Sequence, residues 1–107
     1  MIEISSLEQH LLLAILRLRP NAYGISLHEE LEKRTCKNYS FGSIYAALER
    51  IENKGMVTKM EGEPTEKRGG RRKLYFDITA KGQTSLSNSL KALDAMRSGI
   101  AVKGALI

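Results

Sequence analysis

A mainly α-helical fold carrying one two-stranded β hairpin is predicted by three features of the sequence. Apolar residues recur at helical spacing in four separate segments. Two β-prone runs follow the third segment, with a polar stretch between them. Three of the four helical segments open on a Ser or Thr placed to cap them. At 107 residues, 42% hydrophobic and 27% charged, the chain suits one compact domain with an ordinary core.

Ser5 and Glu8 have the spacing of a capping box, in which each side chain satisfies a free backbone N–H of the other residue. They predict a first helix over Ser6–Leu18, with Leu7, Leu11, Ala14, Ile15 and Leu18 on its apolar stripe and Pro20 and Asn21 ending it. Tyr23, Gly24, Ile25 and Ser26 lead into a shorter second helix. Its apolar positions are Ile25, Leu27 and Leu31, set against the charged Glu29, Glu30, Glu32, Lys33 and Arg34. Ser40 is the cap of a third helix, with Ile44, Ala47, Leu48 and Ile51 on one face and Gly55 as a left-handed stop. The runs 56–60 and 73–78 predict a hairpin whose long tip contains Pro64, Gly69 and Gly70. Thr79 then caps a fourth helix, Ala80–Arg97, followed by a small, Gly-containing tail over 98–107. Helix, helix, helix, hairpin, helix is the order of a winged helix-turn-helix domain with an added C-terminal helix.

Charge and composition narrow the function. The net charge of +5 and pI near 9.5 favour polyanionic partners without naming one. A domain of this size buries little more than ~60% of the surface of its unfolded chain, so self-association adds burial it can use. The single Cys36 allows no intramolecular disulfide and no Cys-rich metal site, and its place after helix two predicts a small, buried or half-buried turn residue. The apolar run at 11–16 is interrupted at both ends by charge and has no basic leader. No stretch reaches the ~20 apolar residues of a membrane span. These features predict a soluble, cytoplasmic protein with no membrane partner.

No catalytic grouping is evident. His10 lies in helix one and His28 on the polar side of helix two, with neither a nearby nucleophile nor a paired carboxylate motif. The Gly-containing stretches lack the strand, loop and helix context of a phosphate-cradling site. The sequence therefore predicts a non-enzyme with no cofactor and no metal.

Helix three separates into two faces. With Ile44, Leu48 and Ile51 inward, a rotation of 100° per residue turns Gly42, Ser43, Ala46, Glu49, Arg50 and Asn53 outward and leaves Tyr45 at the flank. Small residues in the first turn let such a helix approach closely, and Ser hydroxyls and free backbone N–H groups suit phosphate oxygens. An ordinary solvated helix face has the same pattern. The hairpin tip separates the two readings, because five of the eight residues 66–73 are basic: Lys67, Arg68, Arg71, Arg72 and Lys73. Like charges crowded on a tip repel one another, whereas DNA phosphates neutralise them and release counterions. The predicted function is sequence-specific binding of double-stranded DNA in transcription regulation. A winged helix that binds protein is the alternative, and the basic tip argues against it.

Four runs carry a family resemblance: Tyr23-Gly24-Ile25, the segment 40–52 with Gly42 to Leu48 at its centre, Gly55-Met56-Val57, and 71–82 with its Arg-Lys-x-Tyr-x-x-x-Thr-x-x-Gly pattern. Through them the chain resembles the PadR-like winged helix regulators, although many of these carry Pro where this chain has Ala46. The resemblance implies that Ser40, Ser43 and Tyr45 touch DNA from helix three. It implies that Arg71, Arg72 and Lys73 contact phosphates or the minor groove from the wing. It further implies a short form whose single last helix joins two copies, and the family's usual habit is repression. Residues 1–79 then form the DNA-binding domain, and 80–107 the dimerisation helix and tail. Leu86, Leu90 and Leu93 have the spacing of a helix-pairing seam, with Met96 alongside and Ile100 completing it. A homodimer is thus the expected assembly and an inverted repeat the expected operator. Relatives respond to small molecules, so an effector of unknown identity is a further candidate partner.

Overall fold

The structure, a computed structural model, describes residues 3–64 and 72–102. Four helices and one antiparallel ribbon follow in the order α1 (Ser6–Leu18), α2 (Gly24–Thr35), α3 (Phe41–Asn53), β1 (Val57–Pro64), β2 (Arg72–Ile78) and α4 (Ala80–Arg97). This is the mainly helical winged helix arrangement that the sequence predicts.

The caps are as the local sequence dictates. Glu8 N–H donates to Ser5 Oγ at 3.2 Å, and Ser5 N–H donates to Glu8 Oε1 at 2.7 Å. Ser40 Oγ accepts from Ser43 N–H at 3.0 Å, and Thr79 Oγ1 accepts from Gly82 N–H at 3.0 Å. At the far end of α3, Gly55 takes φ +77°, the left-handed region that costs glycine least. Met56 N–H then returns to Ile51 O and Gly55 N–H to Glu52 O, the doubled closure of a Schellman motif.

The core lies where α1, α2 and α3 converge on the base of the ribbon. Leu11, Leu12 and Ile15 meet Leu27, Ile44, Leu48, Ile51 and Met56, with Phe76, Ile78 and Leu86 closing the far side. Each such side chain taken from water contributes roughly 1.5–3 kcal/mol. The first turn of α4 is held hard against the turn after α3. Thr79 N–H donates to Met56 O at 2.9 Å and Thr79 Oγ1 to Gly55 O at 2.7 Å. A methyl group on Gly82 would come within 2.1 Å of the Met56 carbonyl oxygen, so only glycine permits this approach.

Four expectations need correction. Ile25 is exposed, because the inward face of α2 is set by Gly24, Leu27 and Leu31. Cys36 is exposed at the C-cap of α2 with φ 59°, where its N–H bonds to Glu32 O. Strand β1 runs on to Pro64, since a solvent-facing ribbon takes polar residues without penalty and cross-strand pairing with β2 sets its length. Helix α4 stops at Arg97 and Gly99 turns the chain at φ +77°, so Ile100 lies beyond the helix and does not extend its seam.

Candidate nucleic-acid interface

Helix α3 presents Gly42, Ser43, Ala46, Glu49 and Asn53 to solvent, opposite the buried Ile44, Ala47, Leu48 and Ile51. Ser40 and Ser43 sit together at its start. Ser40 Oγ, besides capping, donates to Ser43 Oγ at 2.9 Å, which fixes both hydroxyls at the exposed N-terminus. Helix N-termini carry free N–H groups and partial positive charge, so this end suits a phosphate oxygen.

Tyr45 lies on the flank that faces α2 and is 48% exposed. Its hydroxyl rests against the first residue of that helix, where a methyl group on Gly24 would stand 1.9 Å from the phenolic oxygen. Phe41, 44% exposed, lies on the same flank with its ring 6.5 Å from that of Tyr45. The His28 imidazole stacks on Phe41 at 4.3 Å with the planes 15° apart. Sequence reasoning set His28 aside as a residue on the polar side of α2 and did not single out Phe41; that polar setting concealed a contact made across the helix crossing.

Arg50 occupies the other flank. Its Nε donates to Glu8 Oε2 at 3.0 Å, leaving the side chain 50% exposed. Lys54 Nζ reaches the same carboxylate at 3.0 Å and also the Glu3 carbonyl oxygen at 3.0 Å. Glu8 itself is 1% exposed. Burial pushes its carboxyl upward, but hydrogen bonds from Ser5 N–H, Lys54 and Arg50 outweigh that and hold it below the ordinary glutamate range. Arg50 is therefore engaged within the protomer, unlike the unpartnered outward arginine that helical rotation alone suggests.

At the wing, Lys73 is exposed with its Nζ 4.4 Å from the centre of the Tyr23 ring, a cation–π contact. Tyr23 also meets Tyr75 edge to face at 5.6 Å, and Phe76 N–H donates to Ala22 O at 2.8 Å. The segment before α2 thus joins the ribbon beside β2. Lys73 of the wing and Tyr45 of α3 accordingly come to adjacent residues, Tyr23 and Gly24. Arg72 opens β2 opposite Pro64, and Lys67, Arg68 and Arg71 lie outside the described residues.

The seam residues of α4 divide. Leu86 is buried in the protomer's own core and Leu90 packs partly against it. Residues 91–97 are all exposed, among them Leu93 and Met96, the latter at 76%. Ile100 and Val102 beyond the helix are exposed as well. Away from these surfaces, a cavity of about 200 Å³ opens between α1 and α2, lined by His10, Leu13, Arg17, Leu31 and Arg34 among others. His10 Nδ1 is buried there without a hydrogen-bond partner. Among the described residues no cluster of His, Cys, Asp and Glu could hold a metal, and no helix is long and apolar enough to cross a membrane.

The transcriptional regulator PadR-like family matches residues 12–88, which take in α1 from Leu12, the helix-turn-helix, the wing and half of α4. The chain belongs to this family. Its PadR-like fold recurs in a PadR family transcription regulator from Clostridium difficile, at TM-score 0.73 and 18% identity over 87% of this chain and 92% of that one. A transcriptional regulator from Clostridium thermocellum is similar at TM-score 0.72 and 19% identity, covering 89% and 92%. A PadR-like transcription factor from Bacteroides fragilis is 26% identical at TM-score 0.66, with 89% of each chain covered. No curated protein is matched by sequence. The PadR-like family and these neighbours are transcriptional regulators and not enzymes, so regulation of transcription is the role of this chain.

Proposed function

We propose that this PadR-like regulator is a repressor that binds an inverted-repeat operator as a homodimer. In this reading α3 enters the major groove and the wing lies along the neighbouring backbone. The observation that carries it is the exposed face of α3: the small Gly42 and Ala46 stand clear of the core, with the capped N-terminus and Ser43 beside them. A helix with that profile fits a groove about 12 Å wide. Ser40, Ser43 and Tyr45 are its contacts from the helix, and Lys67, Arg68, Arg71, Arg72 and Lys73 supply positive charge from the wing. Arg50 would have to share its guanidinium between Glu8 and a phosphate, which ranks it below the others.

The exposed Leu93 and Met96 on the last turns of α4 support the homodimer, because a two-fold pairing there would cover them and place two α3 helices on successive turns of DNA. Fluorescence anisotropy against the DNA flanking its own gene, at two salt concentrations, tests the reading. Tight, salt-sensitive binding is expected, and Arg71→Ala with Arg72→Ala should lower affinity for every sequence and reduce the salt slope by about one unit per lost phosphate contact. Equal, weak binding to all duplexes would favour a protein-interaction role instead.

A further inference from the structure

We infer that Phe41 is a specificity-determining residue that reads the C5-methyl group of thymine in the major groove. The inference rests on the DNA-binding reading above. In the first two turns of α3 the exposed side chains are Phe41, Ser43, Tyr45 and Ala46, with Gly42 contributing only backbone. None is an amide, a guanidinium or a carboxylate, the groups that make bidentate contacts to base edges. The Ser43 hydroxyl accepts the Ser40 hydroxyl, and the Tyr45 hydroxyl is turned toward α2 at Gly24. What this end of the helix offers a base is therefore largely apolar: the Phe41 ring and the Ala46 methyl. The thymine methyl is the apolar group among those that base pairs display in the major groove, the rest being hydrogen-bond donors and acceptors.

Phe41 is also held for the purpose. An exposed phenyl ring on a first helical turn would ordinarily sample several rotamers, and ordering it would cost entropy on binding. Here His28 lies flat against one face at 4.3 Å and Tyr45 stands behind it. An exposed aromatic group is otherwise a cost in water, and an occupant that is itself apolar removes it. Thymine is favoured over an apolar protein partner because the ring is exposed in the same first two turns of α3 as the small residues Gly42 and Ala46, on a protein of net charge +5.

The test uses the full chain and a duplex selected by it from a randomised library, compared with the same duplex carrying deoxyuridine in place of each thymine in turn. Uracil pairs as thymine does but lacks the methyl. Wild type should lose about fourfold in affinity for the methyl read in one half-site and roughly fifteenfold when both half-sites are substituted, the equivalent of one apolar carbon returned to water each time. Phe41→Ala should bind the thymine duplex more weakly and show less than about twofold uracil penalty, whereas Phe41→Leu should keep most of it. The salt slope should be the same for all three proteins, since no phosphate contact changes. Melting curves should confirm that the variants fold, as the position is exposed. Operator binding with no uracil penalty, or an equal penalty in wild type and Phe41→Ala, overturns the inference and leaves the DNA-binding reading standing. Failure to select any duplex overturns both.

Discussion

The junction of α1 with α3 and the last turns of α4 are built on opposite terms. At the junction the buried Glu8 carboxylate takes hydrogen bonds from Ser5, the cap of its own helix, and from Arg50 and Lys54 of the α3 end, so the buried charge is satisfied inside one protomer. Over residues 91–97 of α4, apolar Leu93 and Met96 face water with the polar residues around them. The first region fixes the angle at which α3 leaves the core and needs nothing further. The second spends apolar surface that an isolated domain would bury or replace. The difference teaches where substitutions should act within the protomer and where they should act between molecules.

The largest expected effect lies at the root of α4, where the helix still belongs to the closed core. Leu86→Ala should cost about 3 kcal/mol of folding stability through lost burial and the cavity left behind. A urea titration measures it, and a loss under half that size would mean that Leu86 is less central than its burial indicates.

Removing the carboxylate of the junction comes next. Glu8→Ala strands two cations, but Arg50 is half-exposed and can return to water, so the loss should be about 2 kcal/mol and not the larger value of a fully buried pair. The same carboxylate sets an acid dependence. Because the folded state holds Glu8 below its ordinary range, the stability it confers is fully present above the unfolded value of about 4.3 and is lost as pH falls through the lower folded value. Asp77 acts in the same direction, its carboxyl held down mainly by the Arg19 hydrogen bond at 2.6 Å. Urea midpoints measured from pH 7 to pH 3 should therefore decline, and the decline should be shallower in Glu8→Gln. Equal slopes would break the junction's side of the contrast.

Ser40→Ala should cost about 1 kcal/mol as a lost helix cap, and should weaken DNA binding beyond that by freeing the Ser43 hydroxyl. Leu93→Asp should give the smallest change in the protomer, a far-ultraviolet spectrum like that of wild type. Its effect should appear in sedimentation, as a shift from dimer to monomer at micromolar concentration. A wild type already monomeric there would erase the distinction between the two regions.

Much of the fold was legible because its signals are local. Ser5, Ser40 and Thr79 cap the helices that follow them, and Gly55 adopts the positive φ that ends α3. What escaped depends on residues distant in sequence. Glu8 reads as a capping-box partner, and nothing in its neighbourhood announces Arg50, 42 positions later, or Lys54, 46 positions later. Helical rotation turned Arg50 outward correctly but could not supply its acidic partner. Ile25 and Cys36 were misjudged for a related reason: hydrophobicity favours burial, yet the crossing of α2 with α1 and α3 decides which of its sides is covered. Periodicity placed Ser43 on the outer face of α3 and Tyr45 at its flank, whereas Phe41 and His28 became visible as a pair only when two helices were brought together.

The bond from Phe76 N–H to Ala22 O, with Tyr23 wedged between Tyr75 and Lys73, has a mechanical consequence. An unsupported two-stranded ribbon pivots easily about its root and is marginal in water. This one is riveted along one edge to the chain entering α2, so the wing and the first turn of α2 form a single stiff bracket. Since Tyr45 bears on Gly24 in that same turn, α3 is braced against the bracket as well. The span between α3 and the wing root is then set within the protomer. On the proposed docking of α3 in the major groove, duplexes whose groove width departs from that span should bind more weakly even where every individual contact is kept.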